Sequence, residues 1–326
     1  MQNVVIDAEQ TALGERLVAL VRADARATIV AVLGQGGRLD AAVTDVIVLA
    51  ASDAPETDGS TVGGVDLEAT QRLLDDLGPN VVHVTVLSSA MVYGAWPDNA
   101  VPLTEESEVR PNPEATFAGS KAALEQMVQS WAALRPTTTV AVLRPSLTVW
   151  PDAAAVDWME RSLWHAASAR HGDRDPVRQF LHLDDLAAAI DHCRRHRLVG
   201  VFNVAPRGWL GATRQIELTG RSGGLRISDE LAGSVAGARW RMQLSSTSPD
   251  ALPYAMHSWV VSSDRLIASG WEPAFSNEEA FVAGHRETWW SSMSARRRQE
   301  ISLAATAGAI VAVAASVVTA ARRWLR

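Results

Sequence analysis

Over the first two hundred residues, short apolar runs alternate with stretches of helical periodicity, a pattern that predicts a parallel sheet with crossover helices. The expected strands run from Asn3 to Ile6, Thr28 to Val32, Asp45 to Leu49, Val81 to Leu87 and Thr138 to Leu143, and the expected helices from Ala12 to Ala23, Leu67 to Leu77 and Thr116 to Leu134. Such an alternation folds as a doubly wound α/β sheet. Ligands of these sheets sit beyond the carboxyl ends of the strands, so the segments after Ile6, Val32, Leu49 and Leu87 are expected to line one crevice. Beyond Trp150 the pattern loosens into a strand and helix between Gln179 and Arg194, a short strand from Val201 to Val204, and loops rich in Gly, Ser and Arg. The expected organisation is a core over 1–150, a smaller substrate lobe over 151–290 interleaved with the last core strands, a basic linker over 291–300, and a final segment over 301–321.

That final segment changes the picture. Ile301 to Ala321 carries no charge and lies between Arg296, Arg297 and Arg298 on one side and Arg322, Arg323 and Arg326 on the other. Spanning a bilayer takes about 20 apolar residues, and a helix without a polar face must be buried or in lipid. The segment therefore predicts a C-terminal hydrophobic transmembrane helix. The row Ala304, Gly308, Ala312, Ser316 and Ala320 would let two such helices approach closely. At the other end, Asp7 and Glu9 interrupt the apolar stretch that a signal peptide needs, so the folded body is expected on the cytoplasmic side of a membrane.

Hydrophobic residues make up 47% of the 326 and charged residues 21%, the balance of a globular chain. The formal net charge of −7 offers no basic footprint for nucleic acid. Cys193 is the only cysteine, so an internal disulfide is impossible and a thiolate metal site lacks partners. His182, Asp184 and Asp185 read as a helix start capped by an aspartate rather than as a metal cluster. The basic group Arg194, Arg195, His196 and Arg197 suits a helix C-terminus. Trp240, Trp259 and Trp271 read as core residues, while Trp289, Trp290 and Trp324 flank the apolar tail where an interfacial position suits them.

The segment VLSSAMVYGAWPDNAVPLTEESEVRPNPEATFAGSKAALE, Val86 to Glu125, is similar to the core of the extended short-chain dehydrogenases of the NAD-dependent epimerase/dehydratase family. Further pieces agree in order and spacing: LRPSLTVWP at 143–151, RQFLHLDDLAAAI at 178–190, VFNVAP at 201–206 and WVVSSDRLIASGWEP at 259–273. The resemblance implies a Rossmann-like fold and hydride transfer to or from NAD or NADP. It places Ser89 where a serine orients the substrate oxygen and Lys121 where a lysine binds the nicotinamide ribose. In the family that lysine also lowers the pKa of a tyrosine, since a nearby cation favours the phenolate. Here Phe117 stands at the tyrosine position, and a phenyl ring has no proton to exchange. General acid–base catalysis contributes about 10²–10⁴-fold, so ordinary turnover should suffer. Of the two tyrosines present, Tyr93 and Tyr254, Tyr93 is expected to serve packing or the cofactor side rather than to replace the acid.

The cofactor-binding positions implied by the resemblance are Ala8, Thr11, Leu13, Gly14, Leu33 and Arg38. Ala8 and Thr11 replace two glycines of the GxxGxxG turn that lets the backbone approach a pyrophosphate, and Gly14 keeps the third. Leu33 stands where an acidic residue usually holds the adenosine ribose. Arg38 could pair with the extra phosphate of NADP, although a plain surface turn explains GQGGR as well. These departures together predict a degenerate, membrane-anchored family member with impaired redox catalysis and a binding, scaffolding or regulatory role. Its expected partners are the membrane and either a second copy of itself or an active relative. The alternative is an active NAD(P)-dependent oxidoreductase or epimerase whose divergent site acts on a sugar nucleotide, a sterol or a lipid-linked carbonyl.

Overall fold

A computed structural model describes residues 2–7, 11–33, 42–50, 65–149, 170–171, 176–219, 226–227 and 252–284. Its main sheet is built from β1 (Gln2–Asp7), β2 (Ala27–Leu33), β3 (Asp45–Val48), β4 (His83–Leu87), β5 (Thr139–Pro145) and, later in the chain, β9 (Gly200–Val204). The spatial order is β2-β1-β3-β4-β5-β9, with every neighbouring pair parallel. The connecting helices are α1 (Ala12–Ala23), α2 (Leu67–Asp75) and α3 (Thr116–Ala133), followed by α4 (Leu183–His196). This is the doubly wound arrangement that the alternating pattern predicts.

Period-two alternation explains how strands that look uniformly apolar are shared between two layers. Val4 and Ile6 of β1, Ile47 of β3, and Ala141 and Leu143 of β5 pack with Leu17 and Val21 of α1 and Leu186 and Ile190 of α4. Val5, Val46, Val48, Val84 and Val86 point the other way, against Leu74 of α2 and Leu124, Val128 and Trp131 of α3. Local chemistry starts the helices. The Thr11 hydroxyl accepts from the Gly14 amide at 3.0 Å, and the Asp66 carboxylate accepts from Ala69 at 2.8 Å.

The C-terminal lobe contributes β6 (Leu147–Val149) paired with β8 (Phe180–His182), and β7 (Arg170–His171) paired with β10 (Arg226–Ile227). Its helices are α5 (Ala212–Thr219), α6 (Leu252–Met256), α7 (Asp264–Ala268) and α8 (Asn277–Gly284). A third apolar cluster, with Tyr93, Leu103, Leu147, Tyr254, Trp259 and Phe281, joins the lobe to the body. Trp259 and Trp271 are buried; Trp240, Trp289, Trp290 and Trp324 lie outside the described residues.

Two expectations need correction. The cap of α4 is His182, whose ring nitrogen accepts from the Asp184 amide at 3.2 Å, rather than an aspartate. Asp185 instead accepts from the amides of Ala274 and Phe275, and Asp184 pairs with Arg16 at 2.7 Å. The predicted transmembrane helix is the second. Among the described residues no helix is long and apolar enough to cross a membrane. The 18-residue α3 reaches the length but carries Lys121, Glu125, Gln126 and Gln129. Residues 291–300 and 301–321 lie outside the described residues. The membrane partner and the anchored, cytoplasm-facing placement that rested on that helix fall with it.

The amino-terminal edge of the sheet is closed by buried polar groups. Arg194, fully buried, donates to Asp191 at 2.7 Å, to Asp24 at 2.9 Å and to the Gln2 side chain. Removing the guanidinium would strip Asp24 and Asp191 of their buried cation while Arg195 still holds Asp191 at 2.6 Å, so Arg194→Ala should lower stability by about 3 kcal/mol, measured by urea unfolding. His83, also fully buried, lies 2.8 Å from the Thr139 hydroxyl and 3.0 Å from that of Thr85. Burial pushes its imidazole down from 6.5 to about 4, with the Asp45 carboxylate opposing and Arg197 assisting. Between those values the unfolded chain takes up a proton that the folded chain refuses. Stability is therefore expected to fall as pH drops from about 6.5 towards about 4, with a slope from this group of at most about 1.4 kcal/mol per pH unit. Urea midpoints across that window should show the slope in the wild type and its loss in His83→Gln.

Candidate active site

Lys121 lies on the face of α3 that packs against the carboxyl ends of the central strands, and only 3% of it is exposed. Its ammonium donates to the backbone carbonyls of Leu87 at 2.9 Å, Ala50 at 3.1 Å and Leu49 at 3.3 Å. Leu87 ends β4, and Leu49 and Ala50 follow β3, at the crevice end of the sheet. Ala50 adopts a positive φ of 45°, a conformation uncommon for a residue with a Cβ. The sequence position alone would also suit a solvated helix lysine; the structure instead buries the charge at the crevice.

Immediately after Leu87 come Ser88 and Ser89, and they do different work. Ser88 donates its hydroxyl to the buried Glu125 carboxylate, one helical turn after Lys121. Ser89 starts a short 3₁₀ turn, Ala90–Tyr93, and its hydroxyl oxygen accepts from the Met91 amide at 3.2 Å. That turn closes at Gly94, where φ is 71° and an added Cβ would stand 2.4 Å from the Arg110 carbonyl. A glycine is therefore required by both conformation and space.

Phe117, half-buried, places its ring centroid 5.8 Å from the Lys121 ammonium and packs on the cluster that contains Met91, Leu147 and Trp259. No hydroxyl stands beside the lysine at this position. Nor do the two tyrosines offer a ready phenol. The Tyr93 hydroxyl donates to Asn203 Oδ1 and accepts from Arg144 Nη1, both at 2.8 Å, and burial raises its pKa despite the guanidinium. The Tyr254 hydroxyl donates to the Met91 carbonyl at 2.8 Å, and burial raises its pKa as well. Tyr93 is thus a buried structural residue.

Beneath these groups runs a buried polar network that sequence reasoning missed. Arg144 of β5 forks onto both oxygens of Glu125, with Nε 2.9 Å from Oε1, and also donates to Tyr93. The Asn203 amide of β9 donates to the Glu105 carboxylate at 2.8 Å. The available signal was modest: Glu125 follows Lys121 at i+4, and Arg144 stands in the LRPS segment. The partnership between them is a matter of tertiary contact.

At the first strand, Thr11 and Gly14 meet as cap and amide, and Leu13 and Gly14 are buried. The threonine hydroxyl thus already takes one amide of the α1 N-terminus, while the preceding amides of Ala12 and Leu13 belong to the turn where helices bind phosphate. Leu33 ends β2 opposite Asp7. Ala8 and Arg38 lie outside the described residues. The groups that would hold a dinucleotide in this frame are the α1 N-terminus and the Lys121 ammonium.

Between the body and the lobe lies a small cleft of about 10 Å³, room for about one water. Leu147, Val177, Trp259 and Val260 form its apolar lining, and Ser146, Arg178 and Gln179 supply the polar groups. Gln179 is structural: its amide donates to the carbonyls of Val261 at 2.9 Å and Gly208 at 3.0 Å, and its oxygen accepts from the Val261 amide at 2.8 Å. Arg178 brings a permanent positive charge. Among the described residues no group of three or more His, Cys, Asp or Glu could hold a metal ion. Cys193 is buried, and burial pushes its thiol up to about 12, which leaves no reactive thiolate near neutrality.

Comparison with known proteins bears on both the fold and the expected role. Solved structures of similar fold include RMD from Pseudomonas aeruginosa complexed with NADPH, at 20% identity and a TM-score of 0.59, covering 87% of this chain and 97% of that one. The dTDP-glucose 4,6-dehydratase of Bacillus anthracis in complex with NAD matches at 15% identity and 0.59, covering 87% and 95%. The UDP-glucose 4-epimerase of Thermus thermophilus, also with NAD, matches at 19% and 0.58, covering 87% and 97%. The uncharacterized proteins Rv0501 of Mycobacterium tuberculosis and Mb0513 of Mycobacterium bovis are each 26% identical over 273 residues, 80% of this chain and 69% of theirs. No described helix supports the membrane-anchored part of the expectation, and folds of this kind have been solved with NAD or NADPH. The model of the NAD dependent epimerase/dehydratase family matches residues 38–205, and the chain belongs to that family.

Proposed function

We propose that this chain is an NAD(P)-dependent oxidoreductase or epimerase with a divergent site, acting on a sugar nucleotide. The observation that carries the reading is Lys121: a buried ammonium held at the carboxyl ends of the two central strands, next to the serine turn, where a nicotinamide ribose would need a donor. A bound nicotinamide would supply the hydride acceptor or donor. The protein's own groups would do the rest. Lys121 and the α1 N-terminus would hold the dinucleotide, and Ser89 would orient the reacting oxygen.

The site diverges at one step. Phe117 cannot exchange the proton of the reacting hydroxyl, so that proton would pass to solvent or to a basic oxygen of the substrate itself. The sugar-nucleotide choice over a sterol or lipid-linked carbonyl rests on the similar folds of dTDP-glucose 4,6-dehydratase and UDP-glucose 4-epimerase.

Mass spectrometry of the denatured purified protein should detect a co-purified NAD or NADP species, and titration of the full chain should show micromolar binding that weakens about tenfold or more in Lys121→Met. With a dinucleotide and UDP-glucose or dTDP-glucose supplied, Phe117→Tyr is expected to raise turnover by about 10²–10⁴-fold, the usual contribution of a general acid–base group. No co-purified nucleotide together with no measurable binding of NAD(H) or NADP(H) would overturn the proposal.

A further inference from the structure

We propose that the crevice holds its cofactor through the nicotinamide mononucleotide half alone, so that a nicotinamide mononucleotide binds as well as the whole dinucleotide. The inference rests on the NAD(P) reading above and narrows it to the part of the cofactor that this chain can hold.

The strand order carries it. A crevice for a whole dinucleotide is built from two three-strand halves, in the order 3-2-1-4-5-6, and each half takes one nucleotide. Here the order is β2-β1-β3-β4-β5-β9, so among the described residues two strands stand on one side of the β1/β3 boundary and four on the other. The order 2-1-3-4-5 is that of doubly wound sheets that hold a mononucleotide at the β1/β3 boundary.

A third strand in the short half has no chain to make it. Between Leu33 and Asp45 lie residues 34–44, eleven in all. A single parallel crossover takes about a dozen residues, and a further strand would need two crossovers and its own length. The last of the eleven are already committed: the Asn3 side chain donates to the Ala42 carbonyl at 2.7 Å, the Thr44 amide donates to the Asn3 carbonyl at 3.0 Å, and Val43 is buried. Among the described residues the sheet therefore stops at β2, one strand spacing of about 4.8 Å beyond β1. Leu33 ends that strand in register with Asp7, and a leucine side chain offers no acceptor to the hydroxyls of an adenosine ribose.

The other half is furnished. The Leu49 amide donates to the Asp7 carbonyl at 3.2 Å, which ties the end of β1 to the segment after β3, and the Leu49 carbonyl is one of the three that receive the Lys121 ammonium. α1 begins at Ala12, shortly after β1 ends, so its N-terminus and the ammonium both stand at the β1/β3 boundary. A nicotinamide mononucleotide brings one phosphate and one ribose, which match a helix N-terminus and a fixed donor. The phosphate that distinguishes NADP from NAD sits on the adenosine ribose, so discrimination between the two is lost together with the adenosine seat.

The test is calorimetric titration of the full chain with reduced nicotinamide mononucleotide, NADH and NADPH, and with the mononucleotide again in the presence of excess AMP. The expected result is three affinities that agree within about fivefold, the worth of one typical hydrogen bond, and no competition by AMP. An NADH affinity more than about fivefold above that of the mononucleotide, a preference of that size between NADH and NADPH, or displacement by AMP would each reveal an adenosine seat and overturn the inference while leaving the NAD(P) reading in place. Failure of all three nicotinamide nucleotides to bind would overturn both.

Discussion

The forked ion pair between Arg144 and Glu125 is the interaction on which the site geometry depends. Glu125 sits on α3 and Arg144 on β5, and both are buried to within 4%. Two buried charges cost several kcal/mol each to desolvate, and only a well-aligned pair with its remaining donors satisfied can offset that. Here the carboxylate also accepts from Ser88, and the guanidinium also reaches Tyr93 and lies 4.8 Å over its ring. One pair thus fixes four things at once: the helix that carries Lys121 and Phe117, the end of β4 with its serines, the VYG turn, and, through Tyr93 and Asn203, strand β9. The specificity of the arrangement comes from geometry more than from net energy.

On this frame the site keeps some parts of a redox centre and lacks others. Lys121 remains buried at the crevice, and Ser89 still opens the turn beyond β4. What is missing is a hydroxyl between them. The aromatic ring preserves the shape of the position and its contact with the ammonium, so the substitution changes proton chemistry with little change in packing. The two remaining phenols are committed to buried hydrogen bonds and shifted away from easy ionisation. Under the proposed function, proton exchange is the step that the Phe117 position leaves without a phenol.

The lobe side follows a different logic. The cleft is made where the last sheet strands meet the lobe, and its polar groups divide into those already satisfied by the protein and those that are not. Gln179 spends its amide tying the lobe to the loop after β9, whereas Ser146 is held rigidly with its hydroxyl unspent.

Much of the fold was legible in the chain itself. Apolar runs of strand length separated by helical periodicities determined the parallel sheet and placed its strands and helices to within a few residues, because burial on both faces leaves a local signature in every strand. The motif around Ser89, Phe117 and Lys121 likewise marked candidate positions within one turn and one helix, and the structure sets Lys121 5.8 Å from the Phe117 ring centroid. Other features required tertiary contact. The Arg144–Glu125 pair and the three carbonyls around Lys121 join segments apart in sequence, and no periodicity records which distant group a buried polar atom will meet. Sequence also misread the α4 start, where any of several neighbouring polar side chains can cap and only the packed geometry selects His182. Residue type and spacing set the sheet and the candidate chemistry, whereas the partners of buried charges and hydroxyls were decided only when the strands and the lobe came together, because satisfaction of a buried polar group is a property of its surroundings.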